Sequence, residues 1–384
     1  MHFAQFDTAA FLQDNWQKRP LLIRNPWADW HNPLEPDELA GLACEEPGVE
    51  SRLITRRPDG LVLESGPFPE DRFSKPEAAP WTLLVQAVDH HVPEVAAMLG
   101  AFRFVPAWRI DDVMVSYATD GGGVGPHFDQ YDVFLVQGLG QRRWRVGPCC
   151  DASTSLLPHE DLRLIADFAA TDEWVLEPGD ILYVPPGFAH DGVAIGDDCM
   201  TYSVGFRAPS RGDLVESWSA HLADTLPEDD RYTDADLAVQ ANPGEITAPA
   251  LARLHAMVTD AMADRAAFAR WFGAYNSLPK YAETDWRPEA PIGQAAVQAL
   301  LAQRQPLNRN PASRFAFIRQ AGDALCLFVD GQSFDCTGSV ATVAEQVCAS
   351  PSLTVDPALA ASVPVARLIA ALIDQGSLAF EEAA

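Results

Sequence analysis

The sequence predicts a mainly β protein with added helices: a sandwich or barrel of the jelly-roll kind, then a helical region, then a small α+β module. Three observations carry this. Short apolar stretches recur between Gly and Pro turn signals through the first ~210 residues, the pattern of an antiparallel β protein. From about Arg211 the apolar residues switch to three- and four-residue steps, the helical period. A Pro- and Asn-containing stretch, QPLNRNPASR (305–314), then leads into alternating strand-like and helix-like text.

Taken in order, AAFLQDNWQKR (9–19) and WTLLVQAVDHHVPEVAAML (81–99) read as helices that precede the β text. The strands expected are VMVSYA (113–118), DVFLVQG (132–138), WRVG (144–147), WVLE (174–177), DILYVPP (180–186) and MTYSVGF (200–206). Leu251, Leu254, Val258 and Met262 form one helical face, which Phe268, Trp271 and Phe272 continue. A helical pair of this kind serves dimerisation or packs on its own domain. FAFIRQAGDALCLFVDGQSFD reads as a hairpin, and VATVAEQVCAS and VARLIAALIDQG as short helices, which a winged helix would suit. The division expected is 1–210, 211–285 and 290–384.

Composition narrows the function classes. The chain has 384 residues, enough for two or three domains with a sizeable core. No apolar run has the length of a membrane span, and no basic segment followed by an apolar one marks a signal peptide at the N-terminus. The seven cysteines are scattered and include no CxxC pair, as expected of reduced thiols in a cytoplasm. A net charge of −27 repels phosphate backbones and attracts basic proteins or peptides; the competing reading is that it only provides solubility or reflects a salty habitat. Residues 290–384 hold five Arg and no Lys against eight acids, so the electrostatic footprint of a DNA reader is missing and the module is expected to contact protein.

The chemistry centres on GGGVGPHFDQYD (121–132). A phosphate loop would need GxxxxGK[ST], or G-x-G-x-x-G opening a helix; here Pro126 and β text follow, with no Lys. A metal reading fits better. On an extended segment residues i and i+2 point to one face, so His127 and Asp129 can present an imidazole and a carboxylate to one ion. His190, in EPGDILYVPPGFAHDGVAI (177–195), is the candidate third ligand, placed by a return strand behind the Pro185-Pro186-Gly187 turn. Two His and one carboxylate form the facial triad of non-haem Fe(II) oxygenases, whose remaining positions stay open for co-substrate and O₂. Zinc hydrolases use the same donors in HExxH helices, absent here. The glycines read as clearance that lets a substrate approach the metal. On that reading, added bulk at Gly122 or Gly123 spares uncoupled turnover while stopping the main reaction.

Such an oxygenase needs a grip on the far carboxylate of its co-substrate. Arg142, in GLGQRRWRVG (138–147), offers a planar fork for it. Strand alternation puts Arg142 and Trp144 on one face, Arg143 and Arg145 on the other; the competing reading of Arg142 is a surface residue. His90, His91, His159, His221 and His255 are expected to be structural or solvent-exposed.

The text 108–147, with EPGDILYVPPGFAHDG (177–192) and YSVGFRAP (202–209), resembles the JmjC-type bacterial ribosomal oxygenases. The likeness extends to FLQDNWQKRPLLIR (11–24), DELAGLA (37–43) and WTLLVQAV (81–88), and weakens in the last hundred or so residues. These enzymes are 2-oxoglutarate-dependent arginine hydroxylases of large-subunit ribosomal protein sixteen. The resemblance implies a double-stranded β-helix (jelly roll, JmjC/cupin-like), a helical dimerisation region and a C-terminal winged-helix-like domain. It implies Fe(II) held by His127, Asp129 and His190, with O₂ and with 2-oxoglutarate as co-substrate, its distal carboxylate on Arg142 and a further hydrogen bond from Ser116. Asp120 and Tyr131 are the candidates for contact with the substrate arginine, whose β-carbon would be hydroxylated. It also implies a homodimer and a basic ribosomal protein as partner, while the charge, the lack of an apolar span and the cysteine usage lead to the expectation of no direct nucleic-acid binding, no membrane and a cytoplasmic location. Two rivals stand beside this reading: a JmjC oxygenase acting on another side chain, as a histidine hydroxylase or lysine demethylase, and a non-enzymatic cupin-like regulator.

Overall fold

The structure, a computed structural model, describes residues 1–45, 49–73 and 79–381. They fall into two compact units, Met1–Ala208 and Pro209–Ala384. The first is built on β1 (Leu21–Ile23), β2 (Ser51–Arg57), β3 (Gly60–Ser65), β4 (Trp81–Val85), β5 (Ile110–Ala118), β6 (Asp132–Cys149), β7 (Asp172–Leu176), β8 (Ile181–Val184) and β9 (Phe188–Phe206). They make one sheet in the order β1-β8-β6-β9-β5-β4-β2-β3, with β7 also pairing β6.

Two long strands position the site. β6 runs antiparallel to β9 from Asp132–Phe206 at one end to Cys149–Phe188 at the other. The stretches DVFLVQG and WRVG, expected as separate strands, are therefore halves of one. Between them the register slips at Gln137, Leu139 and Gln141. Gly140 there takes φ +59°, and a Cβ on it would lie 2.7 Å from the Asp198 carbonyl oxygen. Bulges bend a ladder and increase its twist, which carries the sheet round into the jelly roll.

One face of the sheet is an aromatic core. Phe134, Tyr183, Tyr202 and Phe206 are fully buried there with Phe11 and Phe102. Helices α1 (Thr8–Asp14), α2 (Pro36–Leu42) and α3 (Pro93–Met98) accompany this core, contributing Phe11, Leu39, Val95 and Met98. Its polar tips are satisfied: the Tyr183 hydroxyl donates to Asp132 Oδ1 at 2.6 Å, and the Tyr202 hydroxyl to Asn32 Oδ1 at 2.9 Å. Asp132 also accepts from Gln17 Nε2 and Arg109 Nη2. Burial nonetheless raises its carboxyl pKa, and these donors oppose the rise.

Two expected helices are corrected. Residues 81–85 of the stretch 81–99 are strand β4, inserted between β2 and β5, and only Pro93–Met98 is α-helical. A run such as WTLLV is buried on both faces and lacks the alternation that separates strand from helix. Helix α1 stops at Asp14, and Gln17 takes φ 56°, so the helix cannot run on to Arg19.

The second unit contains α4 (Arg211–Thr225), α5 (Ala248–Met262), α6 (Arg265–Asn276) and α7 (Gln294–Ala302), followed by a mixed module. In that module β10 (Leu307–Arg309) pairs with β14 (Ser352–Leu353) and β15 (Leu378–Phe380). The expected hairpin is a three-stranded sheet: β11 (Phe315–Arg319), β12 (Leu325–Val329) and β13 (Gln332–Cys336). Helices α8 (Ser339–Ala349), α9 (Pro357–Ala360) and α10 (Val363–Asp374) close it, α10 burying Val365, Leu368, Ile369 and Leu372. Helix α5 buries no residue, and Leu251 and Val258 are each 60% exposed.

Candidate metal centre

His127 and His190 are directly opposed in an antiparallel bridge, each N–H donating to the other's carbonyl, at 3.0 and 2.8 Å. Opposed residues share a face, so both imidazoles project the same way, and Asp129 joins them two residues along. The Pro185-Pro186-Gly187 turn locks this arrangement. Gly187, at φ +81°, donates its N–H to the Asp129 carbonyl at 2.7 Å and accepts from Cys150 N–H at 2.7 Å.

Asp129 Oδ2 lies 3.8 Å from His127 Nε2 and 3.6 Å from His190 Nε2. One ligand atom from each residue lies within 4.8 Å of the others, the one such cluster among the described residues. Metal–ligand bonds near 2.1 Å place adjacent donors about 3 Å apart, so a small inward adjustment completes the site around an ion. Both rings are set for it. His127 Nδ1 meets the Gly125 carbonyl at 2.9 Å and His190 Nδ1 meets the Phe188 carbonyl at 3.0 Å. A carbonyl only accepts, so each Nδ1 carries a proton and Nε2 is the atom of each ring left to bind a metal. Burial, and then the adjacent His127 ring, holds the His190 pKa below its ordinary value, which favours the neutral, ligating ring.

The same face continues away from the metal. On β6, Arg142, Trp144 and Val146 oppose Ala194, Gly192 and His190 on β9. Arg142 is 3% exposed. Its Nε donates to Cys199 Sγ at 3.4 Å, while Nη2 is buried without a partner. An unpaired guanidinium nitrogen in such a place is costly unless an anion meets it. A dicarboxylate reaching from the metal would do so, and the donor set of two imidazoles and a carboxylate suits Fe(II). Ser116 is buried opposite Thr201 and donates to its carbonyl at 3.4 Å.

The two remaining candidates differ in their setting. Tyr131 is 43% exposed, but its hydroxyl is drawn toward Asp129. Desolvation and then that carboxylate raise the phenol pKa well above its ordinary value. Asp120 is exposed, and its Oδ1 accepts the Gly196 N–H at 2.8 Å, across from the β9 bend rather than beside the histidines. The glycine reading is corrected. A Cβ on Gly122 would lie 2.4 Å from the Trp81 carbonyl oxygen, and one on Gly123 would lie 2.4 Å from that of Gly192. These glycines let the loop pack against neighbouring backbone, holding Gly122 against Ala194 and so His127 against His190.

Sequence reasoning missed the polar layer beside Arg142. Gln137 Nε2 reaches Cys199 Sγ at 3.5 Å, and Thr201 Oγ1 donates to Gln137 Oε1 at 3.2 Å. The signal was available: Cys199 and Thr201 alternate with apolar Met200 and Tyr202, and polar residues on one face of a buried strand mark an unusual interior.

Comparison with known proteins agrees with this geometry. The JmjC domain family model matches residues 97–214, the ROXA-like winged helix model residues 260–379, and an AraC-like ligand binding domain model residues 169–270. The ribosomal protein uL16 3-hydroxylase of Escherichia coli is 37% identical over 85% of this chain and 84% of its own length. A probable ribosomal oxygenase of Haemophilus influenzae is 43% identical over 61% of this chain and 58% of its own. The X-ray structure of E. coli ycfD superposes with a TM-score of 0.88 at 34% identity, covering 99% of this chain and 100% of that one. A further structure of that ribosomal oxygenase, in complex with cobalt and 2-oxoglutarate, gives 0.86 at 33% identity, covering 99% of each chain. The chain belongs to the JmjC-domain ribosomal oxygenases.

Proposed function

We propose that this chain is an Fe(II)- and 2-oxoglutarate-dependent protein hydroxylase that converts an arginine β-carbon of a basic large-subunit ribosomal protein from C–H to C–OH. The observation that carries the reading is one continuous face. It bears two imidazole nitrogens and a carboxylate within 4.8 Å, and beyond them a buried guanidinium nitrogen without a partner. The name of the E. coli relative supports the substrate class.

His127, Asp129 and His190 hold the metal, leaving the opposite positions open. Bound Fe(II) supplies the activation of O₂, one oxygen atom going to the C–H bond while 2-oxoglutarate becomes succinate and CO₂. The protein's share is placement. Arg142 pairs with the distal carboxylate of 2-oxoglutarate, and Ser116 adds a hydrogen bond. The carbonyl partners of the two Nδ1 atoms keep the rings aimed. Tyr131 and Asp120 also offer a ring face and a carboxylate to an incoming arginine. The charge of −27 draws in a basic protein and repels nucleic acid.

The working division is 1–210 for catalysis, 211–285 for dimerisation and 290–384 for a winged-helix-like contact module. A second copy covers the exposed Leu251, Leu254 and Val258 face of α5, making a homodimer. No helix among the described residues is long and apolar enough to cross a membrane, and a ribosomal protein as substrate supports a cytoplasmic location.

The test is 2-oxoglutarate turnover with and without the basic ribosomal protein, with mass spectrometry of the product. Stimulated turnover and one added oxygen on an arginine are expected, both lost in His127→Ala. Oxygen on a histidine, or formaldehyde release, would move the reading to another side chain. An unchanged His127→Ala would end the iron assignment.

A further inference from the structure

We propose that Trp144 is a second donor to the co-substrate: its indole N–H, together with Arg142, grips the distal carboxylate of 2-oxoglutarate and so selects a dicarboxylate. This inference rests on the co-substrate reading above.

Trp144 is 4% exposed, and its Nε1 has no hydrogen-bond partner. A buried indole N–H ordinarily finds an acceptor, and leaving it bare is unfavourable. Phenylalanine would fill a purely apolar position without that penalty. Two residues away on the same strand face, Arg142 Nη2 is likewise buried and unpartnered. Two orphaned donors on one face, Trp144 beside the His190 ring and Arg142 next along the strand, point to one absent acceptor.

The two side chains are neighbours on this face. Arg142 Cζ lies 5.7 Å from the Trp144 ring centroid, and the His190 ring lies 6.0 Å from the same indole. The indole thus lies between the guanidinium and the metal ligands. Its orientation is set by Gly192, directly opposite on β9. A Cβ there would lie 2.6–2.9 Å from Cζ3, Cη2 and Cε3 of Trp144, so the benzo edge is pressed against the β9 backbone. The pyrrole edge, with Nε1, is turned away from that strand. Arg142 is held from behind, its Nε on Cys199 Sγ at 3.4 Å, which leaves Nη2 for the ligand. A carboxylate has two oxygens with several lone pairs; one meets Nη2, the other Nε1.

The test compares two 2-oxo acids that differ only at the far end: 2-oxoglutarate, and 2-oxopentanoate, which carries a methyl group there. Each is titrated anaerobically into the Fe(II) protein, and the visible metal-to-ligand band reports binding. Trp144→Phe is expected to weaken 2-oxoglutarate about tenfold, as for a lost hydrogen bond to a charged group, and to leave 2-oxopentanoate and Fe(II) affinity unchanged. Equal weakening of both acids, or of neither, would overturn the proposal. Wild-type protein that gives no band with 2-oxoglutarate would instead overturn the co-substrate reading itself.

A second measurement does not depend on the variant folding. In Zn(II)-loaded wild type with ¹⁵N-labelled tryptophan, the indole nearest the metal is identified as the one most broadened when Mn(II) replaces Zn(II). Its N–H resonance should move downfield with 2-oxoglutarate and stay in place with 2-oxopentanoate. A resonance that ignores both ligands would rule out the contact.

Discussion

Strands β6 and β9 separate two environments that differ in kind. On one side Phe134, Tyr183, Tyr202 and Phe206 pack among other aromatics, and the tyrosine hydroxyls have acceptors. On the other side stand His190, Arg142, Trp144, Cys199 and Thr201, with donors left unpaired. Alternation makes this possible, because successive residues point to opposite faces. The aromatic side holds the fold; the polar side carries the chemistry. Stability and chemistry should therefore be separable by substitutions one residue apart in facing.

The largest effects come from crossing that divide. Asp129→Ala should eliminate metal-dependent 2-oxoglutarate turnover, and the melting temperature should no longer rise when Fe(II) or Co(II) is added. The melting temperature of the metal-free protein should stay within a few degrees of wild type, because Asp129 is partly exposed. Phe134→Ala should do the reverse, losing about 3–5 kcal/mol of stability, or roughly 10 °C, while binding metal and 2-oxoglutarate when kept cold. Thermal melts with and without metal check both. If Phe134→Ala loses ligand affinity in proportion to stability, the two faces are not independent.

This division was partly legible in the sequence. The HxD pair and the histidine behind a PPG turn announce metal geometry because i, i+2 spacing on an extended segment can be read without coordinates. Arg142 was legible for the same reason, through its alternation with Arg143. Elements whose identity depends on distant partners were not legible. WTLLV becomes a strand because β2 and β5 flank it, and no residue within it says so. The polar layer of Gln137, Cys199 and Thr201 shows itself only when β6 and β9 are paired in register. The glycines misled because a glycine reports a close approach without reporting what approaches.

Gly123→Ala gives an intermediate effect and tests that last point. The new methyl group would sit 2.4 Å from the Gly192 carbonyl oxygen, too close for backbone to tolerate. The loop must shift, at a cost of about 1–3 kcal/mol, and His127 shifts with it. Coupled hydroxylation and uncoupled 2-oxoglutarate turnover should fall together, with weaker Fe(II) binding. Loss of hydroxylation alone would restore the substrate-clearance role.

The smallest effect lies at the rim and decides what Asp120 does. Its Oδ1 accepts the Gly196 N–H, a task that any side-chain carbonyl could perform. Asp120→Asn keeps an acceptor of the same shape and removes only the charge. If Asp120 merely clamps the β9 bend, the variant is indistinguishable from wild type. If its carboxylate also meets the substrate's guanidinium, the KM for the basic protein rises about threefold to fivefold, the scale of an exposed ion pair. Turnover of 2-oxoglutarate without substrate and the melting temperature should not change in either case. We expect the rise in KM, and expect it to shrink as salt is added, because an exposed pair is screened. A KM equal to wild type at low salt would leave Asp120 as a turn clamp and Tyr131 as the remaining candidate for contact with the arginine.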